Sequence, residues 1–115
     1  MSETSATDVR RVGSAIRLRP EKRAEYLELH SAVWPEVEAQ ITRSNIRNFT
    51  IFLREDMLFS YLEYVGEDYA GDMAAIKADP HTQRWWALTD PCQEQLPGTP
   101  EGENWAPMDA IWHLD

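Results

Sequence analysis

The sequence predicts an α+β protein in which helices cover one face of an antiparallel sheet. Apolar residues alternate with a period of two in some segments and recur every three or four residues in others, which is typical of strands and helices respectively. Along the chain these segments follow the order strand, helix, strand, strand, helix, strand. This order is the split β-α-β-β-α-β arrangement of ferredoxin-like domains, in which the helices pack on one face of the sheet.

The chain of 115 residues is long enough for one hydrophobic core and too short for two. Residues 1–8 are small and polar and show no periodicity, so we expect a flexible tail there. A single domain of residues 9–115 should follow. Its first strand is predicted at residues 9–18, where the side chains alternate in character.

The first helix is predicted from about Glu21. Its core side should carry Ala24, Leu27 and Val33, which recur at helical spacing. Pro35 lacks a backbone N–H and clashes with the preceding turn, so we expect the helix to kink or restart at this residue.

The same patterns predict the remaining elements. They are, in order, a hairpin of residues 49–53 and 57–65, a helix at residues 68–77, a short helix capped by Asp79 and Pro80, a long loop at residues 89–107 and a closing strand at residues 110–114.

Composition excludes several classes of function. The net charge is −9 at pH 7 and the pI is near 4.7, whereas nucleic-acid binding requires a basic surface. Cys92 is the single cysteine, so no intramolecular disulfide can form. The sequence shows neither an apolar N-terminal signal nor a run of about 20 apolar residues. We therefore expect a cytoplasmic protein with no nucleic-acid partner and no membrane span.

The predicted fold leaves one face of the sheet without cover. Apolar and aromatic side chains on that face, among them members of the set Phe52, Phe59 and Tyr61, would be exposed in a monomer. Two copies packed sheet to sheet would cover them. We therefore expect a homodimer with the architecture of a dimeric α+β barrel.

Tyr26, His30 and Trp34 recur every four residues just before Pro35. Residues four apart lie one above another on a helix, so a phenol, an imidazole and an indole are predicted to share one face. An imidazole can give and take protons at neutral pH. This face is the first candidate for an active site, although the same pattern also fits a polar seam on an ordinary core helix.

Trp85 and Trp86 form a second aromatic candidate. An indole ring can stack on the apolar face of a sugar, and neighbouring polar groups can then hold the hydroxyls. Adjacent residues on a helix point about 100° apart. We therefore expect one tryptophan to face a ligand and the other to pack in the core.

Several segments together carry a resemblance to a known family. They are Tyr26 with His30, Trp34-Pro35-Glu36, Phe49 to Phe52, Leu58-Phe59, Trp85-Trp86 and Ile111 to Asp115. In their order and spacing the chain from about Val9 to Asp115 resembles the L-rhamnose mutarotase family, small dimeric ferredoxin-like enzymes that interconvert the anomers of a 6-deoxy sugar.

The resemblance implies a reaction and roles for residues. The histidine matching His30 would transfer protons, the tyrosine matching Tyr26 would stand beside it, and the pair matching Trp85 and Trp86 would line the sugar site. Mutarotation needs no cofactor and no metal, so none is expected. Trp34 and Asp90 complete the set of candidate substrate-binding residues.

The loop before the last strand differs from that of the L-rhamnose enzymes. It carries Thr89-Asp90-Pro91-Cys92-Gln93 and Gly102-Glu103-Asn104-Trp105 in place of a stretch rich in Asn, Asp and Pro. This resembles a sister branch associated with L-fucose. The expected substrate is therefore L-rhamnose or L-fucose.

Other interpretations remain open at this point. The same fold could serve as a ligand-binding module or an oxygenase-type dimer without this chemistry. His30, His81 and His113 could hold a metal only if the fold brought them together, because they lack a short ligand spacing. Cys92 has no neighbouring base in the sequence that would activate it as a nucleophile.

Overall fold

A computed structural model describes residues 8–115, so the predicted tail lies outside the described residues apart from Asp8. The α-helices and strands are, in chain order, β1 (Arg10–Leu18), α1 (Arg23–His30), α2 (Pro35–Arg43), β2 (Ile46–Arg54), β3 (Met57–Tyr64), α3 (Tyr69–Ala78), α4 (Pro80–Thr89), β4 (Gln93–Glu94) and β5 (Ala106–Met108). Two short 3₁₀ turns precede α1 and follow α4, at Pro20–Lys22 and Asp90–Cys92.

The sheet is antiparallel in the order β2-β3-β1-β4, and β5 also pairs with β1. β1 pairs with β3 from Arg10 to Arg17 on one side. On the other side, β4 pairs at Arg17 and Leu18, and β5 pairs from Gly13 to Ala15. The place of a fourth strand is thus shared by two short strands, and the predicted ferredoxin-like α+β class is confirmed.

The predicted closing strand at residues 110–114 is wrong. β5 lies earlier, and residues 109–115 belong to no strand. Pairing along this edge of β1 ends with Gly13 opposite Met108, and the alternating residues that follow do not pair with the remaining residues of β1. Their large side chains are exposed, with Ile111 94 % and Trp112 78 % accessible. The predicted loop at residues 89–107 is also wrong in part, because it contains β4 and the start of β5.

The predicted core side of the first helix is wrong. Ala24 and Leu27 are exposed, whereas Tyr26 is 3 % exposed. Tyr26 packs with Ile16, Leu18, Leu58 and Cys92 in the main core cluster. The helix ends at His30, so Val33 never continues the stripe that Ala24 and Leu27 were expected to begin.

The restart expected at Pro35 is confirmed. Trp34 is extended and precedes α2 as its N-cap residue, and Pro35 takes the first helical position, where its missing N–H costs no hydrogen bond. Trp34 therefore does not lie on the helix that carries Tyr26 and His30. It stands at the start of the next helix.

The hairpin of β2 and β3 is also confirmed, with an irregularity that the sequence pattern did not show. The register shifts between Arg47 and Thr50, so two residues of β2 lie opposite a single residue of β3. Asn48 takes a positive φ of 52° in this bulge. The extra residue lets both Ile46 and Ile51 pack on core clusters although they are five positions apart.

Two aspartates fix the starts of the later helices. Asp68 accepts a hydrogen bond from the backbone N–H of Gly71, at the start of α3. Asp79 accepts from the backbone N–H and the hydroxyl of Thr82, at the start of α4. These caps satisfy donors that a helix leaves free at its N-terminus. Within residues 8–115, no helix is long and apolar enough to cross a membrane.

Candidate functional site

α1, α2 and α4 bring together four of the six residues that the sequence singled out. The rings of Tyr26 and His30 lie one over the other, with centroids 4.2 Å apart. The Trp85 ring meets His30 edge-on at 5.3 Å and meets Trp34 in the same way at 5.3 Å. Trp85 is 6 % exposed, so it forms a buried wall between the imidazole and the second indole.

The hydrogen bond of His30 determines which ring nitrogen can react. Its Nδ1 lies 2.9 Å from the backbone carbonyl oxygen of Tyr26, one turn earlier on α1. A carbonyl oxygen only accepts hydrogen bonds, so Nδ1 must carry the proton and donate it. In the neutral imidazole, Nε2 then holds the free lone pair. The backbone of α1 thus presets His30 as a base at Nε2.

The phenol of Tyr26 is protonated at neutral pH. Burial raises the pKa of Tyr26 to about 12, and the hydrogen bond from Gln93 opposes this shift in part. The Nε2 of Gln93 donates to the phenol oxygen at 3.1 Å. Because this bond uses a lone pair of the oxygen, the O–H of Tyr26 stays available to donate to another group.

Asp90 lies apart from the aromatic group, on the 3₁₀ turn that follows α4. It lines a cavity of about 80 Å³ together with Ile16, Gln93, Gln95 and Asn104. Desolvation raises the pKa of the Asp90 carboxyl. Gln93 contacts both regions, since it lines this cavity and donates to Tyr26.

Trp86 does not join the other candidates. It packs against the second core cluster, formed by Ile46, Tyr64 and Ile76. As the helical geometry predicts, the two adjacent tryptophans face different parts of the molecule. Trp85 is the one that faces His30 and Trp34.

Sequence patterns missed Gln93 and Asn104. Both lie in the segment that was expected to be a loop, where neither periodicity nor a motif marks a residue. Only the pairing of β4 with the end of β1 brings Gln93 beside the phenol of Tyr26. The available signal was that both residues stand in the two segments that resemble the L-fucose branch.

The open interpretations of Cys92 and the histidines gain no geometric support. Cys92 is buried, its Sγ–H donates weakly to the carbonyl oxygen of Leu88 at 3.6 Å, and burial raises the pKa of its thiol. Such a thiol packs as a small apolar group. In the part of the chain that the structure describes, no three His, Cys, Asp or Glu side chains are grouped so that they could hold a metal ion.

Known proteins resemble this chain in sequence. A family model described as L-rhamnose mutarotase matches residues 11–114. An L-fucose mutarotase of Xanthomonas campestris pv. campestris is 39% identical over 95 residues, which are 79% of this chain and 75% of the relative. An L-rhamnose mutarotase of Verminephrobacter eiseniae is 33% identical over 95 residues, which are 80% of this chain and 84% of the relative.

Solved structures resemble it in fold. The crystal structure of an L-rhamnose mutarotase from Formosa agariphila superposes with a TM-score of 0.69 at 19% identity, covering 92% of this chain and 99% of that one. A tetracenomycin F2 cyclase from Streptomyces glaucescens superposes with a TM-score of 0.66 at 11% identity, covering 92% and 97%. At such low identity these likenesses describe the fold alone. The family match spans nearly the whole chain and includes the segments that hold Tyr26, His30 and Trp85, and on that sequence evidence the chain belongs to the L-rhamnose mutarotase family.

Proposed function

We propose that this protein is a mutarotase that interconverts the α and β anomers of a 6-deoxy-L-hexose, with His30 and Tyr26 as the groups that transfer protons. The observation that carries the proposal is the pairing of an imidazole of fixed tautomer with a phenol that keeps its proton. His30 offers a free lone pair at Nε2 because its Nδ1 is held by a backbone carbonyl. Beside it, Tyr26 retains its proton because burial raises its pKa to about 12.

Mutarotation needs these two abilities at the same time. His30 Nε2 takes the proton of the anomeric hydroxyl while the O–H of Tyr26 protonates the ring oxygen, and the bond between C1 and the ring oxygen breaks. The open-chain aldehyde rotates about the bond from C1 to C2. The phenolate then recovers its proton from the hydroxyl on C5, that oxygen attacks the other face of the aldehyde, and the imidazolium returns its proton to O1. Every proton is restored.

The family membership supports a sugar substrate, and the two relatives named above supply two candidates. Their names are L-fucose mutarotase and L-rhamnose mutarotase. Both sugars lack a hydroxyl at C6, and they differ in configuration at C2 and C4. We propose that Trp85 and Trp34 form the apolar wall of the site, because their indoles pack edge to face beside His30.

The experiment is anomer exchange measured by saturation-transfer NMR on L-fucose and L-rhamnose, with D-glucose as a sugar of another class. Wild-type protein should speed exchange of one or both 6-deoxy sugars above the buffer rate. His30→Asn keeps a polar side chain but removes the base, so exchange should fall roughly 100-fold or more. His81→Asn is the matched control, since His81 lies on the first turn of α4. Failure of the wild-type protein to speed exchange of any of these sugars would overturn the proposal.

We further propose that the protein works as a homodimer in the cytoplasm. The outer face of the sheet and the segment after β5 expose large apolar side chains, including Phe52 at 59 % and Trp112 at 78 % accessible. Burial of such groups against a second copy is the usual way to cover a face of this size. The buried lone thiol of Cys92 is in keeping with a reducing compartment.

A further inference from the structure

We propose that the cavity lined by Asp90, Gln93, Gln95 and Asn104 is a subsite that binds hydroxyl groups of a neutral sugar, with Gln93 connecting it to Tyr26. This inference rests on the mutarotase function proposed above and deepens it. It assigns substrate recognition to the stretch from the 3₁₀ turn after α4 to the segment between β4 and β5, whereas the proton transfer lies on α1.

Hydrogen bonds among the residues that line the cavity determine which of their polar atoms remain available to a ligand. Gln95 Nε2 donates to the backbone carbonyl of Glu103 and to Oδ1 of Asn104, each at 3.1 Å. These two bonds use both hydrogens of the Gln95 amide and leave its Oε1 as an acceptor. They also orient Asn104, so that its Nδ2 remains a donor.

Gln93 is oriented in the same way by Tyr26. Its Nε2 donates one hydrogen to the phenol oxygen at 3.1 Å, so its Oε1 and its second amide hydrogen are left for a ligand. Together with the Asp90 carboxyl, the cavity therefore offers three acceptor groups and two amide groups that donate, those of Gln93 and Asn104. Sugar hydroxyls both donate and accept, and a ring with several neighbouring hydroxyls satisfies such a mixed set.

The charge of the residues that line the cavity disfavours the binding of anionic sugars. None of the five residues that line the cavity is cationic, and one of them is the acidic Asp90. A phosphate or a carboxylate placed here would meet carbonyl and carboxyl oxygens without a compensating cation. The net charge of −9 acts in the same direction at long range.

The size of the cavity determines which part of a sugar it holds. About 80 Å³ is ample for a single water. It is too small for a whole pyranose, so the subsite holds one edge of the ring while the rest lies toward Tyr26 and the aromatic wall. L-fucose and L-rhamnose differ at C2 and C4, and the subsite binds one of these edges.

The test uses the full-length protein and three sugars, L-fucose, L-rhamnose and L-fucose 1-phosphate. In ¹H–¹⁵N spectra, the side-chain amide signals of Gln95 and Asn104 should shift on addition of a neutral 6-deoxy sugar and stay unchanged with the phosphate. The amide of Gln83 is the internal control, because Gln83 is exposed on α4 and its Nε2 donates to the backbone carbonyl of Lys77 in α3.

Variants separate recognition from proton transfer. Asp90→Asn and Asn104→Leu should each raise KM roughly tenfold for the preferred sugar, change kcat only a few-fold and reduce the preference between the two sugars. Glu101→Gln is the matched control, since it removes one negative charge from the same segment at an exposed position. It should leave both constants unchanged.

The outcomes distinguish this inference from the function on which it rests. Normal exchange with unmoved amide signals, or an unchanged KM and sugar preference in both variants, would overturn the subsite and leave the mutarotase proposal intact. Amide shifts with a bound sugar but no exchange in the wild-type protein would uphold the subsite and overturn the catalytic proposal. Binding of the sugar phosphate as tight as that of the neutral sugar would overturn the assigned substrate class.

Discussion

The chemistry of individual side chains here is set by their immediate neighbours. A backbone carbonyl fixes the tautomer of His30, and burial fixes the protonation of Tyr26. Neither effect requires an additional charged partner. The phenol of Tyr26 therefore remains an acid at neutral pH, because it loses its proton only in strongly alkaline solution.

Tyr26→Phe should slow anomer exchange by roughly tenfold, less than His30→Ala does. The phenol donates to a ring oxygen for which water can substitute in part, whereas His30→Ala removes the lone pair that accepts the proton of the anomeric hydroxyl. Exchange rates of the two variants by saturation-transfer NMR provide the comparison. Equal losses, or a larger loss in Tyr26→Phe, would reverse the two assigned roles.

Tyr26 should also make the fold sensitive to alkali. Its pKa is about 12 in the folded chain and near 10 when unfolded. Between these values the unfolded chain has lost a proton that the folded chain keeps, so stability falls as pH rises through this window. The loss should reach about 2–3 kcal/mol by pH 12. Urea unfolding at several pH values should show a shallower decline in Tyr26→Phe, and identical declines would contradict this prediction.

Among the elements, α4 links the fold to the candidate site. Its N-cap Asp79 accepts two hydrogen bonds from Thr82, a residue only 2 % exposed. One turn later the same helix presents Trp85 to His30. A change at the cap should therefore affect both the stability of the helix and the position of the indole.

Asp79→Ala should lower the Tm by roughly 3–8 °C and reduce exchange activity, because it leaves buried donors of Thr82 without acceptors. Asp68→Ala, which removes the corresponding cap of α3, is the control. It should lower the Tm while leaving exchange by the folded protein near normal. Thermal denaturation and exchange rates measure both effects, and an active Asp79→Ala variant with unchanged Tm would contradict the prediction.

The accuracy of the sequence predictions differed between elements for physical reasons. The β2–β3 hairpin was predictable because its residues alternate on both sides of a short turn. The core side of α1 was not, because Leu27 is more apolar than Tyr26, yet the sheet below the helix receives Tyr26. Spacing describes which residues share a face, while the packing of the neighbouring strands decides which face is buried.

The candidate site was predictable in its aromatic part and not in its amide part. Tyr26 and His30 are four residues apart on one helix, so their proximity follows from local geometry. Trp85 joins them only through the packing of α4. Gln93 reaches Tyr26 across 67 positions of sequence because β4 pairs with the end of β1. Long-range strand pairing of only two residues leaves no periodic signal.

At the scale of the whole fold, the segment after β5 is the most exposed apolar region among residues 8–115. Ile111, Trp112 and Leu114 are each more than 70 % accessible. The same segment, together with Arg11 and Tyr61, lines a cleft of about 330 Å³. We propose that a second copy contacts the C-terminal segment and the outer face of the sheet, because these regions expose the large apolar side chains.

Trp112→Ser should therefore weaken the dimer. One chain has a mass of 13.3 kDa, so light scattering should report about twice that value for the wild-type protein at micromolar concentrations and a lower average for the variant. Leu27→Ser, at an exposed apolar residue of α1, is the control and should leave the mass unchanged. A wild-type mass near that of one chain would contradict the dimer.

The shared edge of β1 has an evolutionary consequence. β4 and β5 each pair with β1, and residues 95–105 connect them without joining the sheet. Both ends of that connection are anchored to the same strand, so insertions, deletions and substitutions between them leave the hydrogen bonds of the sheet in place. Mutations that alter the sugar preference can therefore accumulate in residues 95–105 while α1 retains its chemistry. Related enzymes could diverge in substrate in this way without a new fold or a new mechanism.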